Sequence, residues 1–118
     1  MKWFNYSEFD SPDEPGSGHY MDQEFLDMLD EARSRAGIPF VITSGYRTEA
    51  HSYAVGSNAA SSHCKGVAAD ISAGTDRDRF LIITALLEVG IDRLGIGPDF
   101  IHCDIDWEKS ANVIWNYT

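Results

Sequence analysis

Two cysteines in 118 residues are too few for a disulfide framework, so the fold must rest on a hydrophobic core rather than on covalent staples. Basic residues are scarce as well. Nine lysines and arginines stand against nineteen aspartates and glutamates, a formal charge of −10. A chain without a basic surplus cannot displace phosphate counterions strongly, which excludes nucleic acid as the expected partner. It also offers no polybasic anchor for an anionic membrane surface. No apolar run approaches the roughly 20 residues needed to span a bilayer, so membrane insertion is not expected. The opening residues 1–8 carry neither a charged leader nor the hydrophobic stretch of a signal peptide. The expectation is synthesis in a cytoplasm, with release by some other agent if the protein acts outside one. An internal repeat and an interdomain linker are also missing, so residues 1–118 read as one domain with one core. With 43% hydrophobic and 24% charged residues, the composition is that of a globular chain and excludes disorder.

What is present reads as a short series of helices and strands. Residues 1–20 form an irregular N-terminal segment, dense in turn formers from Ser11 to Gly18. Over residues 21–36, Phe25, Leu26, Leu29, Ala32 and Ala36 recur at helical spacing. Asp22 and Glu24 lie near the positive end of that helix, and Arg33 and Arg35 near the negative end, before Gly37 and Pro39 stop it. Residues 40–43 read as a short strand ending at Ser44-Gly45-Tyr46-Arg47, and residues 48–55 as a short helix. Residues 67–72 alternate, with Val67, Ala69 and Ile71 on one face and Ala68, Asp70 and Ser72 on the other. A helix over 78–89 is capped by Gly90, and three strands are expected at 93–97, 100–106 and 113–117. The sum is an α+β domain: a small, largely antiparallel sheet with its helices packed mainly on one face.

Chemistry concentrates in two segments, Ser61-Ser62-His63-Cys64-Lys65-Gly66-Val67-Ala68-Ala69-Asp70 and Phe100-Ile101-His102-Cys103-Asp104. Gly66 gives the backbone freedom for a tight turn, so His63 before it and Asp70 on the following strand can converge on one ion. His102 would join them from an adjacent strand. Two imidazoles and one carboxylate are the ligand set of an open zinc site, whose fourth position is left for a water that the metal can acidify. Spacing alone leaves open that these are hydrogen-bonded histidines with no metal role. Each cysteine directly follows one of the histidines. Three readings remain for Cys64 and Cys103: small buried hydrophobes, a bridge between the two segments, or metal ligands.

The pattern Ser61-x-His63-x-x-Gly66-x-Ala68-x-Asp70, with His102-x-Asp104 downstream and Ser44-Gly45-Tyr46-Arg47 upstream, resembles the zinc D-Ala-D-Ala carboxypeptidase family. That family includes the L-alanyl-D-glutamate endopeptidases of bacteriophage lysins and shares its fold with the hedgehog signalling domain. The likeness runs from about Phe9 to Tyr117, and residues 8–13 and 113–117 resemble those of small phage-encoded members.

The resemblance implies one Zn²⁺ per chain on His63, Asp70 and His102. It implies Arg47 as the residue that binds substrate and stabilises the developing oxyanion, a role that suits a fixed guanidinium. Several relatives carry a carboxylate three residues before the last histidine ligand. Asp99 matches that spacing and is the candidate general base. Asp104, on the strand face of His102, is the alternative base or else a residue that orients a ligand. Other relatives have a histidine two residues before the last ligand, where this chain has Phe100. His51, followed here by Ser52 where many relatives have asparagine, reads as structural or cleft-lining. The implied activity is hydrolysis of a peptide bond in the stem peptide of bacterial peptidoglycan, by a carboxypeptidase or an endopeptidase. The alternative is a catalytically inactive, zinc-stabilised module of a phage particle that binds peptidoglycan or a protein. The expected partner is the stem peptide. The protein is expected to be a monomer and to act on the cell wall after release or as part of a phage particle.

Overall fold

In the computed structural model, which describes residues 1–117, the helices are Gln23–Ala36 (α1), Glu49–Ala54 (α2) and Asp76–Glu88 (α3). The strands are Ile42–Ser44 (β1), Ala68–Ser72 (β2), Arg93–Ile96 (β3), Phe100–Asp104 (β4) and Val113–Asn116 (β5). Each helix starts on a side chain that accepts a backbone N–H: Asp22 for α1, Thr48 for α2 and Thr75 for α3. Such caps satisfy amides that no helical carbonyl can reach. Gly37 ends α1 in the left-handed region, as expected of a glycine just past a helix. No helix among the described residues is long and apolar enough to cross a membrane.

The strands form one sheet in the order β1-β2-β4-β3-β5, antiparallel except for the β3–β5 pair. Strand alternation divides the two faces. Ala69, Ile71, Leu94, Ile101 and Cys103 face a core completed by Phe25, Leu29 and Ala32 of α1 and by Ile82 and Leu86 of α3. The opposite face carries Asp70, His102 and Asp104, and is where a site can form.

The N-terminal segment is irregular but anchored. Residues 1–20 contain two 3₁₀ turns, Tyr6–Phe9 and Ser17–Tyr20, and Phe4 and Phe9 are buried in the main core. The loop is held by Asp10, whose carboxylate accepts the Gly16 and Gly18 amides, and by Asp30, which accepts those of Lys2 and Trp3. Phe9 also has a site-facing consequence: its carbonyl accepts the Tyr46 amide at 2.8 Å and so fixes the segment before Arg47.

The cysteines also resolve. Both are free thiols. Cys103 lies in the core on the opposite face of β4 from His102, and burial holds its thiol well above the usual range. Cys64 faces the Thr48 and Asn58 carbonyls. They therefore form neither a bridge nor a share of the ligand set.

Candidate metal centre

Register builds the site. Ser44 pairs with Asp70, Asp70 with His102, His102 with Gly95, and Gly95 with Trp115. Directly paired residues on adjacent strands share a face, so these five make a row across all five strands. His63 reaches the row from the 3₁₀ turn Ser62–Lys65, which Ser61 caps by accepting the His63 amide. The turn ends at Gly66 with φ 72°. A Cβ there would stand 2.5 Å from the Tyr20 carbonyl oxygen, so glycine answers both the backbone conformation and the space.

His63, Asp70 and His102 each offer a donor atom, and the three atoms lie within 4.8 Å of one another. Nδ1 of His63 faces the Gly45 carbonyl at 2.8 Å. A carbonyl can only accept, so Nδ1 carries the proton and Nε2, 3.4 Å from Asp70, keeps its lone pair for the site. On His102, Nε2 donates to Asp104 at 2.7 Å, and Nδ1 faces Asp70 at 2.9 Å. Each imidazole thus has its outer nitrogen fixed by an oxygen acceptor, the arrangement that sets tautomer and ring orientation in metal-ligating histidines. The donor set therefore fits a zinc ion: two nitrogens, one carboxylate, and a cleft above them of about 480 Å³.

Electrostatics keep Asp70 ionised and favour protonation of His102, so a cation bound here would displace a proton from the imidazole. Burial alone would raise the Asp70 pKa, but pairing with His102 and His63 in their protonated forms holds it well below the usual carboxylate range. A carboxylate that stays ionised is available to a cation. His102 shows the mirror effect: burial opposes its charged form, and hydrogen bonds to Asp104 and Asp70 raise its pKa nonetheless. Asp104, opposed by its own burial, is held low by His102, by the Asp106 amide and by the nearby Arg93 charge.

The other sequence candidates separate. Arg47 lines the cleft with Nη2 3.7 Å from Asp70, its Nε donating to Ser44 Oγ and its backbone amide to the His63 carbonyl. Asp104 is 1% exposed, and both its oxygens are engaged: Oδ2 accepts from His102, Oδ1 from Arg93 Nε and from the Asp106 amide. That is an orienting position. Asp99 is not brought to the ligands. It is exposed on the turn between β3 and β4, is not among the residues lining the cleft, and contributes its carbonyl to the Ala73 amide. Its three-residue offset from His102 places it in the Pro98-Asp99 turn, outside the strand that presents the histidine. His51 sits on α2, also away from the lining.

Four contributors were not singled out from the sequence: Arg93, which holds Asp104; Gly95; and Trp115 and Tyr117, which line the cleft beside His102. A glycine inside a strand pattern signals a close approach, and the Trp-x-Tyr spacing puts both rings on one strand face. Those signals were there to find.

The model of a protein family described as Peptidase M15 matches residues 3–104. No curated protein matches the chain.

Proposed function

The chain belongs to the peptidase M15 family, and from that premise we propose that it hydrolyses a peptide bond in the stem peptides of bacterial peptidoglycan as a zinc-dependent carboxypeptidase or endopeptidase. The observation that carries this reading is the convergence of His63 Nε2, Asp70 and His102 Nδ1 at the floor of an open cleft, with Arg47 beside them. A zinc ion on these residues would supply Lewis acidity to the scissile carbonyl and lower the pKa of a water. The chain's own residues do the rest. Gly45 and Asp104 fix the two imidazoles, and Arg93 holds Asp104 in place. Arg47 meets the negative charge that builds on the carbonyl oxygen or on a substrate carboxylate.

One observation favours a second reading. Asp70 and Asp104 are the only carboxylates among the described residues lining the cleft, and neither is uncommitted. A site with ligands but no free base suits a zinc-stabilised module that binds peptidoglycan without turning it over. Digestion of purified peptidoglycan with and without a chelator, followed by mass analysis of the fragments, separates the two. Chelator-sensitive release of a defined peptide fragment or amino acid supports hydrolysis and identifies the bond. Stable zinc-dependent binding with no new fragment supports the module.

A further inference from the structure

The cleft has two unlike ends, and the metal centre with Arg47 accounts for only one of them. The row across the sheet runs from Ser44, with Arg47 just beyond it, through Asp70 and His102, to Gly95 and then Trp115 on the β5 edge. Polar groups dominate the first end. The second is aromatic: the Trp115 ring lies 5.5 Å from that of His102, Tyr117 lies 6.2 Å from Trp115, and Phe100 lies 5.3 Å from Tyr117.

Gly95 is what lets these rings approach the sheet closely. A Cβ at that position would stand 2.6 Å from Tyr117 Cε2 and 2.7 Å from Trp115 Nε1, closer than side chains tolerate. Its φ is not positive, so the glycine is needed for space and not for backbone freedom. Arg93 backs the indole with its guanidinium 5.1 Å from the ring, and the same guanidinium is paired with Asp104. It therefore braces the wall and offers no free charge there. Trp115 is only partly buried and Tyr117 is exposed, so the rings are packed from behind and open toward the cleft. Such rings present large, rigid apolar area at little entropic cost to a ligand's apolar groups. This wall lies on β5, beyond the residues 3–104 matched to the family.

We infer that Trp115 and Tyr117, laid over Gly95, are the specificity-determining wall of the cleft, and that they receive the methyl group of an alanyl residue set apart along the peptide from the carboxylate that Arg47 faces. The inference rests on the stem-peptide reading and deepens it by giving each end of the bound peptide its own receptor.

Calorimetric titration of the metal-free and the zinc-loaded protein with a synthetic stem pentapeptide tests it, alongside a second pentapeptide in which glycine replaces the alanines. Trp115→Ala and Gly95→Ala should each weaken pentapeptide binding about tenfold in both forms, with zinc stoichiometry unchanged. Trp107→Ala, at an exposed residue outside the cleft lining, should bind as the parent does. The glycine peptide should bind the parent protein more weakly, yet bind Trp115→Ala about as well as the alanyl peptide does, because the two changes remove one contact. If Gly95→Ala does not fold, Trp115→Ala and Tyr117→Ala decide the matter. Parent-like affinity in Trp115→Ala, or additive losses from the two changes, overturns the wall while leaving the stem-peptide reading intact. Failure of the parent protein itself to bind the pentapeptide in either form overturns that reading and the wall with it.

Discussion

Asp104 shows what a buried carboxylate does when both its oxygens are engaged. Between His102, Arg93 and the Asp106 amide it has no freedom to shuttle protons. The role this geometry supports is the orientation of His102. Asp104→Asn should therefore weaken zinc affinity by about 10–100-fold, the usual consequence of losing a group that orients a ligand, as measured by competition with a chromophoric chelator. Asp99→Asn, at an exposed turn away from the cleft, should digest peptidoglycan at close to the parent rate. A dead Asp99→Asn that retains zinc would restore that residue to the proton path. In the proposed function Arg47 makes the opposite kind of contribution, through the charge and shape it presents to a ligand. Arg47→Lys keeps the charge but replaces a planar fork with a point charge, and turnover should fall on the order of 10²-fold with zinc content unchanged. Near-normal turnover would make Arg47 a bystander.

The elements place these residues through a few local constraints, and the clearest is the turn before β2. Gly66 combines a positive φ with a carbonyl 2.5 Å from where a Cβ would sit. Gly66→Ala should cost about 2–4 kcal/mol, visible as a fall in Tm of roughly 10 °C, and should weaken zinc binding because His63 rides on the same turn. A thermally unchanged variant would show that the turn relaxes freely. This was also the most legible part of the sequence: His63, Gly66 and Asp70 are close in the chain, local chemistry allows their convergence, and the family resemblance implied it. The helices were legible for the same reason, since caps and apolar spacing are short-range signals. Long-range register was not. Nothing within residues 113–117 says that β5 will lie parallel to β3, or that Trp115 will land opposite Gly95. The place of Asp99 was not legible either, because a three-residue spacing means one thing within a strand and another across a turn. How the irregular N-terminal segment packs was not legible, because its anchors lie far along the chain, with Asp30 holding residues 2 and 3.

At the scale of the molecule, the −10 charge conceals a cleft lined by Arg47, Arg93 and Lys109. Acidic groups elsewhere are built into the fold, and Asp106 is the clearest case. Burial opposes its ionisation, but hydrogen bonds from Ser62, Lys65 and the Glu108 amide bring its pKa down to about 2. A folded pKa below the unfolded one stabilises the fold once pH exceeds the unfolded value, and the contribution vanishes as pH falls through the folded value. Asp106 should therefore contribute on the order of 2 kcal/mol above about pH 4, and lose it between about pH 4 and pH 2. Comparing urea midpoints of the parent and Asp106→Asn across that range checks this, and a gap that persists unchanged at pH 2 would contradict it. The row across the sheet has a metric consequence. Strands sit about 4.8 Å apart, so the four intervals from β1 to β5 span roughly 19 Å. The side chains lean together above that row, with the guanidinium 3.7 Å from Asp70, His102 2.9 Å from Asp70 and the indole ring 5.5 Å from the His102 ring. An extended peptide advances about 3.3 Å per residue, so about three or four residues bridge guanidinium and indole, whereas a single residue touches one and misses the other. Affinity measured against ligand length should climb steeply until that span is reached and then level off, making the cleft a ruler laid across the strands.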